Sequence, residues 1–442
     1  MGRFAEVMDG VLRAVGVKRV GADLQHLLAA VCRGLGRYDW TAAAYTRAIR
    51  LSPGDADAHV GLGAAYLARE RYEEAAAASK EAIRLKPDYA VAHYNLALAY
   101  RGLDRFEEAL AACKEAVWLK PEEPDTHYAR AAILADLGRR EEVINRLKRV
   151  VGLKPDHAEA YYNLGCGYGE LGRRQEEIVA YEQAIRLEPG YAKAHCNLGW
   201  AYYELHRYEE AVEAFRAAIR LTPDDDKAHC GLGSAYGHLG RDDEAMAAFE
   251  KSLRLDPDDP ETHYNLGSHH LDRLRYKEAA EALEEAVRLN PDEPDGHCNL
   301  GVAYYRLGRC KDAIKEYKHG TRLAPDDADA HNNLAVAYVE QGRYEEAIAA
   351  FKKAVRLKPH LAGAQQGLGC AYAGLGRYDE ATQALQEAVR LKPSAAQAHY
   401  DLGEVYAKQG DTQRARQEYE RLKELDEELA AELHEMLRGQ GG

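Results

Sequence analysis

The sequence predicts an all-α chain of stacked helix pairs, and three observations lead there. Eleven prolines, running from Pro53 through Pro87 and Pro121 to Pro393, stand 34 residues apart without an insertion or deletion. Between them, small and large apolar residues recur at the three- and four-residue spacing of one helix face, twice per interval. A fixed period of this length marks a repeat architecture, so it has to be read before any chemistry.

Setting the proline at position 32 divides the chain into twelve repeats, the first beginning at Ala22 and the last at Ala396. Position 7 is Leu in eleven repeats, position 8 is Gly or Ala in all twelve, and positions 11 and 20 are Tyr and Ala in nine each. Gly is common at position 15, where it ends the first helix, and Arg follows at position 16 in eleven repeats. The proline and its trailing Asp residues close the second helix and cap the next. Pro124, Pro260 and Pro294 fall where a first helix begins, a place where the missing N–H has no partner to lose. One repeat alone cannot bury enough apolar surface to fold, so stacking is obligatory.

These columns resemble the tetratricopeptide repeat (TPR) from Ala22 to Leu429. The resemblance implies an α-solenoid: antiparallel helix pairs wound into a right-handed superhelix whose first helices line a concave groove. Residues 1–21 are expected to form an N-terminal capping helix, with Phe4, Val7, Met8, Val11, Leu12 and Val15 on one stripe. The solenoid occupies 22–429. Residues 430–442 are expected to be a C-terminal capping helix and tail, with Leu433, Met436 and Leu437 on one side.

A net charge of −14 argues against the basic footprint of a nucleic-acid binder. No apolar run is long enough to cross a bilayer, and the N-terminus lacks a signal-peptide layout. Eight cysteines without a CxxC pair read as free thiols of a reducing compartment, so a cytoplasmic protein is expected.

The stretch "AHCNLGWAYYE" at Ala194 sets His195 beside Cys196, as a thiol or metal centre would. His recurs at position 4 in nine repeats, however, and neighbouring helices stand about 8–10 Å apart. Successive imidazoles would not meet on one ion with ligands at about 2 Å, so packing is expected and no metal. Neither a phosphate-binding loop, a nucleophile elbow nor an HExxH motif is present. The chain is therefore expected to have no catalytic residue and no cofactor, and not to be an enzyme.

Two irregularities stand out. His269 and His270 replace the usual Ala and Tyr of the eighth repeat, as a core pair or, more sharply, a pH-sensitive joint. In the fourth and fifth repeats Arg130 takes the Leu column, Arg140 and Arg174 take an aromatic column, and Glu177 takes the small position 20. Arg174 and Glu177 can pair across one turn. A polar, looser junction is expected there, a hinge.

Position 6 carries Asn95, Asn163, Asn197, Asn265, Asn299 and Asn333. An amide offers both donor and acceptor, so such a row can hold the backbone of an extended peptide. The row resembles the TPR region of O-GlcNAc transferase; an ordinary preference for Asn at this column is the equal alternative. Trp200 at position 9 reads as a partner's anchor, or as a ring buried on an adjacent helix. Tyr203 and Tyr305 at position 12 add contact area.

Position 13 carries Asp136, Glu170, Glu204, Asp272 and Glu340, near a helix C-terminus that disfavours negative charge. A basic ligand would repay that cost. The family's carboxylate clamp for chaperone tails begins with Lys193 and Asn197 but breaks at Gly231 and Glu261. The expected function is a protein–protein interaction scaffold that binds an extended, basic peptide segment. Two alternatives stay open: the substrate-targeting subunit of an enzyme whose catalytic domain is a separate chain, and a self-assembling structural scaffold.

Overall fold

The computed structural model describes residues 21–439, and every regular element among them is an α-helix. Each repeat supplies a first helix and a second, as in Ala192–Glu204 followed by Tyr208–Leu221. The stripe expected from Phe4 to Val15 lies outside the described residues. Among those described, no helix is long and apolar enough to cross a membrane.

Aspartates start several first helices as expected. Asp55, Asp225, Asp259 and Asp327 each accept a backbone N–H of the first turn. A last helix, Glu427–Gly439, follows the twelfth pair. It begins at Glu427 and not at residue 430, because the Asp426 carboxylate accepts the N–H groups of Glu428 and Leu429 at 3.0 and 3.1 Å. Its Leu433 is buried beside Leu422, with Leu429, Met436 and Leu437 packed around them.

The turn between paired helices is the most regular part of the repeat. Position 15 has a left-handed backbone in all twelve: eight glycines with φ between 66 and 80°, and Glu70, Asp104, His206 and Leu274 with φ of 56 or 57°. That residue lets the next N–H turn back, as Arg71 N–H does onto the Tyr66 carbonyl at 2.9 Å. The Arg column has its reason in the same turn. The Arg309 guanidinium lies 4.0 Å from the centre of the Tyr304 ring and its Nε donates to Asp312 at 2.8 Å. Arg343 sits likewise 4.6 Å over Tyr338 and pairs with Glu346.

Glycine at position 8 marks the crossing of the two helices. A Cβ on Gly199 would stand 2.7 Å from the Phe215 ring, and one on Gly301 2.7 Å from Tyr317. The large ring of the second helix fills the space that the first leaves empty.

Contacts divide the described residues into two compact halves, with the boundary between Pro223 and Asp224. Within each, helix pairs stack on their neighbours. In the second half one apolar cluster continues from Ala279 to Ala415. In the first half, residues from Ala75 to Leu134 and from Ala131 to Ala180 belong to separate clusters. They meet in the fourth repeat, where Arg130 replaces leucine.

Candidate functional site

The histidine column is structural. Nε2 of His93, His127, His195, His263, His297, His331 and His399 donates to the carbonyl of the lattice proline six residues earlier, at 2.9–3.2 Å. That carbonyl lies just past a helix end, where no helical N–H reaches it. The adjacent Cys196 is a buried free thiol. Among the described residues, no three His, Cys, Asp or Glu side chains converge as a metal site would.

The asparagine column links consecutive first helices. Asn163 Nδ2 donates to the Tyr128 hydroxyl at 2.7 Å, and Asn197 Nδ2 to the hydroxyls of Tyr162 and Tyr181 at 3.2 and 3.3 Å. Asn299 Nδ2 reaches Tyr264 Oη at 3.3 Å and Asn265 Nδ2 reaches Cys230 Sγ at 3.3 Å. Each of these steps back 35 residues where it joins position 6 to position 5. Gln366 and Asp401 make the same rung with donor and acceptor exchanged, at 2.8 Å. Burial holds the Tyr128, Tyr162 and Tyr181 phenols well above their ordinary pKa, so they remain protonated.

Asn95 departs from the expectation. It is buried, its Nδ2 donated to the Val60 carbonyl at 3.2 Å, and the packing withdraws it from any binding face. Asn163, Asn197, Asn265, Asn299 and Asn333 are half-buried. Trp200 is half-buried too, edge-on to Phe215 at 5.3 Å and to Tyr203 at 5.5 Å. Its ring is partly committed to the neighbouring helix.

Most position-13 acids find a partner within the chain. Asp136 pairs with Arg101, Glu170 with Arg140 at 2.8 Å, and Glu204 lies 3.9 Å from Arg174. The Tyr305 phenol hydrogen-bonds Glu340, and burial first, then that carboxylate, raises its pKa. The cost of placing these acids at a helix C-terminus is thus offset internally. Asp272 makes no ion pair among the described residues. Arg174 also holds the buried Glu177 at 2.8 Å, across one turn as its spacing suggested.

Two clefts open between helices, each lined by residues of first and second helices. At position 17 an aromatic ring ordinarily packs on the next first helix: a Cβ on Gly102 would meet Tyr72 at 2.5 Å, and one on Gly374 would meet Tyr344 at 2.6 Å. Arg140 has no such ring, and a cavity of about 580 Å³ opens there among Tyr128, Ala131, Ala135, Val143, Asn163 and Gly167. The exceptional Arg140 was its sequence signal. A second cleft, about 380 Å³, is lined by Asp259, Glu261, Glu293 and Asp295 with Tyr264 and Asn290. Neither Lys nor Arg is among its lining residues. Desolvation, then the Asp259 carboxylate, holds the Glu261 carboxyl above its usual range, and Lys227 draws it partly back. Glu261 and Asp295 stand at position 2 of their repeats, on the groove-lining columns and also where a helix N-terminus favours acids, so the sequence alone does not distinguish the two roles.

A family model described as the cilia and flagella-associated protein 70 C-terminal domain matches residues 225–436. Tetratricopeptide-repeat models match residues 65–104 and 199–240, 90–123, 180–213 and 158–191. The chain belongs to the tetratricopeptide-repeat family. A TPR stack of this kind is a protein–protein interaction scaffold. No curated protein matches the sequence significantly.

Among solved structures, that of the APC/C hetero-tetramer Cut9–Hcn1 is similar over 97% of this TPR chain and 98% of its own, at 15% identity and a TM-score of 0.48. A MamA crystal structure is 30% identical over 37% of this chain and 95% of its own, with a TM-score of 0.36. YrrB, described as a TPR protein with an unusual peptide-binding site, is 26% identical over 42% and 96%, with a TM-score of 0.39.

Proposed function

We propose that this TPR protein holds an extended, basic segment of a partner protein against its first-helix faces. The carboxylate cleft between the eighth and ninth repeats carries the reading: four acids share one cleft whose lining includes no cation. A Lys or Arg side chain entering it would make charge-assisted hydrogen bonds that the chain does not supply itself. Beside it, Asn265 and Asn299 have their Nδ2 groups engaged and their orientation fixed, which leaves preset amide oxygens for a peptide's N–H groups.

In the first half, Asn163, Asn197, Trp200 and Tyr203, with the cavity beside Arg140, offer a separate surface for a partner segment. Half-buried rings there offer flat contact area at low entropic cost. Eight free cysteines fit a reducing compartment such as the cytoplasm.

Fluorescence anisotropy with an array of labelled peptides tests this. Lys- and Arg-bearing extended peptides should bind the full chain, and Glu261→Gln with Asp295→Asn should weaken them about tenfold. Equal affinity in wild type and variant would remove the cleft as the determinant.

A further inference from the structure

The fourth repeat breaks the pattern in a second place, away from the groove columns. Position 7 is Arg130 where every other repeat has Leu, and position 23 is Arg146 where nine have Ala and two have Glu. These positions lie where the two helices of one repeat pack on each other. The two glutamates show what the place can hold. His297 Nδ1 is 2.8 Å from Glu316 and His399 Nδ1 is 2.6 Å from Glu418, while Nε2 of each ring donates to a proline carbonyl. In both repeats Nδ1 therefore has an acidic side chain as its hydrogen-bond partner.

In the fourth repeat no carboxylate fills that place. His127 is 3% exposed, Nε2 donates to Pro121 O at 2.9 Å, and Nδ1 has no partner. Nε of Arg130 and Nε of Arg146 are likewise buried without a partner. The nearby charges are already used: Arg149 pairs with Glu122 at 2.8 Å, and Glu142 with Arg139. Burial first, then Arg146, holds the Arg130 guanidinium below its ordinary value, and burial followed by Arg146, Arg149 and Arg130 lowers His127. Buried N–H groups without an acceptor, set between like charges, are costly, so an anion is the missing part.

We propose that Arg130 and Arg146 bind a phosphate-class oxyanion between them, whose negative charge offsets the arginines and favours the protonated form of His127, so that Nδ1–H becomes a third donor. Planar guanidinium forks match the spacing of phosphate oxygens, and donors from three side chains suit a tetrahedral ion. Both arginines are only half-buried, so the ion enters from solution without opening the helix pair. The site is independent of the peptide-binding proposal. Its ligand is a phosphate group, either a free ion or a phosphoserine side chain.

The test uses the full chain and the variant Arg130→Leu/Arg146→Ala, which installs residues that other repeats carry. Thermal unfolding is followed in sodium phosphate and in sodium chloride of equal ionic strength, with calorimetric titration of inorganic phosphate. Phosphate should raise the wild-type Tm above chloride, and the variant should bind it about tenfold or more weakly while melting no lower in chloride. Arg130→Leu alone repeats the comparison if the double variant does not fold. A phosphoserine peptide and its unmodified twin, with inorganic phosphate as competitor, separate the two sources. Equal phosphate gains in wild type and variant, or no gain beyond chloride in wild type, would overturn the site.

Discussion

Nδ1 of His297 lies 2.8 Å from the carboxylate of Glu316, and both side chains are buried. The pair is a local addition to the histidine that caps the preceding turn. Glu316→Ala installs the commonest residue of that column yet leaves the ring without its second acceptor. We expect a loss of about 1–3 kcal/mol in urea denaturation, and a smaller one for Glu316→Gln, which still accepts. A neutral Glu316→Ala would mean that the pair contributes nothing net.

Leu274 occupies the left-handed turn position with φ 57° and is 69% exposed. A branched side chain pays about 1–2 kcal/mol for that backbone, while glycine loses part of the gain through its freer unfolded state. Leu274→Gly should therefore raise stability by up to about 1 kcal/mol. The control is Gly308→Leu at the equivalent turn, with φ 74°, which should lower it. Melting temperatures of the two variants on either side of wild type are the expected result.

His269 and His270 are both buried. Burial lowers each pKa; Arg273 and Arg275 press further on His269, against Asp242 at 3.9 Å, and Arg275 presses on His270, against Glu278 and Glu281. The folded values thus lie below the unfolded value of about 6.5. Below that pH the unfolded chain binds protons that the folded chain does not. The stability contributed by the neutral pair is fully present above about pH 6.5 and is lost as pH falls through the lowered values. His269→Ala/His270→Tyr should shrink the difference in Tm between about pH 7.5 and about pH 5. An unchanged difference would assign the acid sensitivity elsewhere.

The junction of the fourth and fifth repeats combines Arg130 in the leucine column, two separate apolar clusters and the cavity beside Arg140. Fewer apolar contacts mean a lower cost of local opening. Amides of residues 124–187 should exchange faster than those of 294–357 in hydrogen-exchange mass spectrometry. Equal protection would dismiss the hinge.

The repeat period, the helix limits and the core columns were legible because each rests on local periodicity and on residues with one strong backbone preference. What escaped was contact between repeats. His195 could be recognised as repetitive, but its partner, the Pro189 carbonyl, depends on how the chain turns back after a helix. Asn163 was read as facing a ligand, and its amide turned out to face Tyr128 as well. Glu170 and Arg140 lie 30 residues apart, so nothing in their spacing announced an ion pair. The cavity beside Arg140 follows from a ring that is absent, which only the neighbouring Tyr72 and Tyr344 make visible.

The amide rungs have a consequence for how this chain tolerates editing. Each rung joins a residue to its neighbour one step away, so whole steps are interchangeable and fractions are not. Excising residues 260–293 as a block would hand Asn299 the Cys230 thiol that Asn265 now uses. Excising a few residues more or fewer would rotate every later donor off its face of the helix. Length, measured in complete turns of this stitching, is the one dimension in which the molecule can grow or shrink without being redesigned.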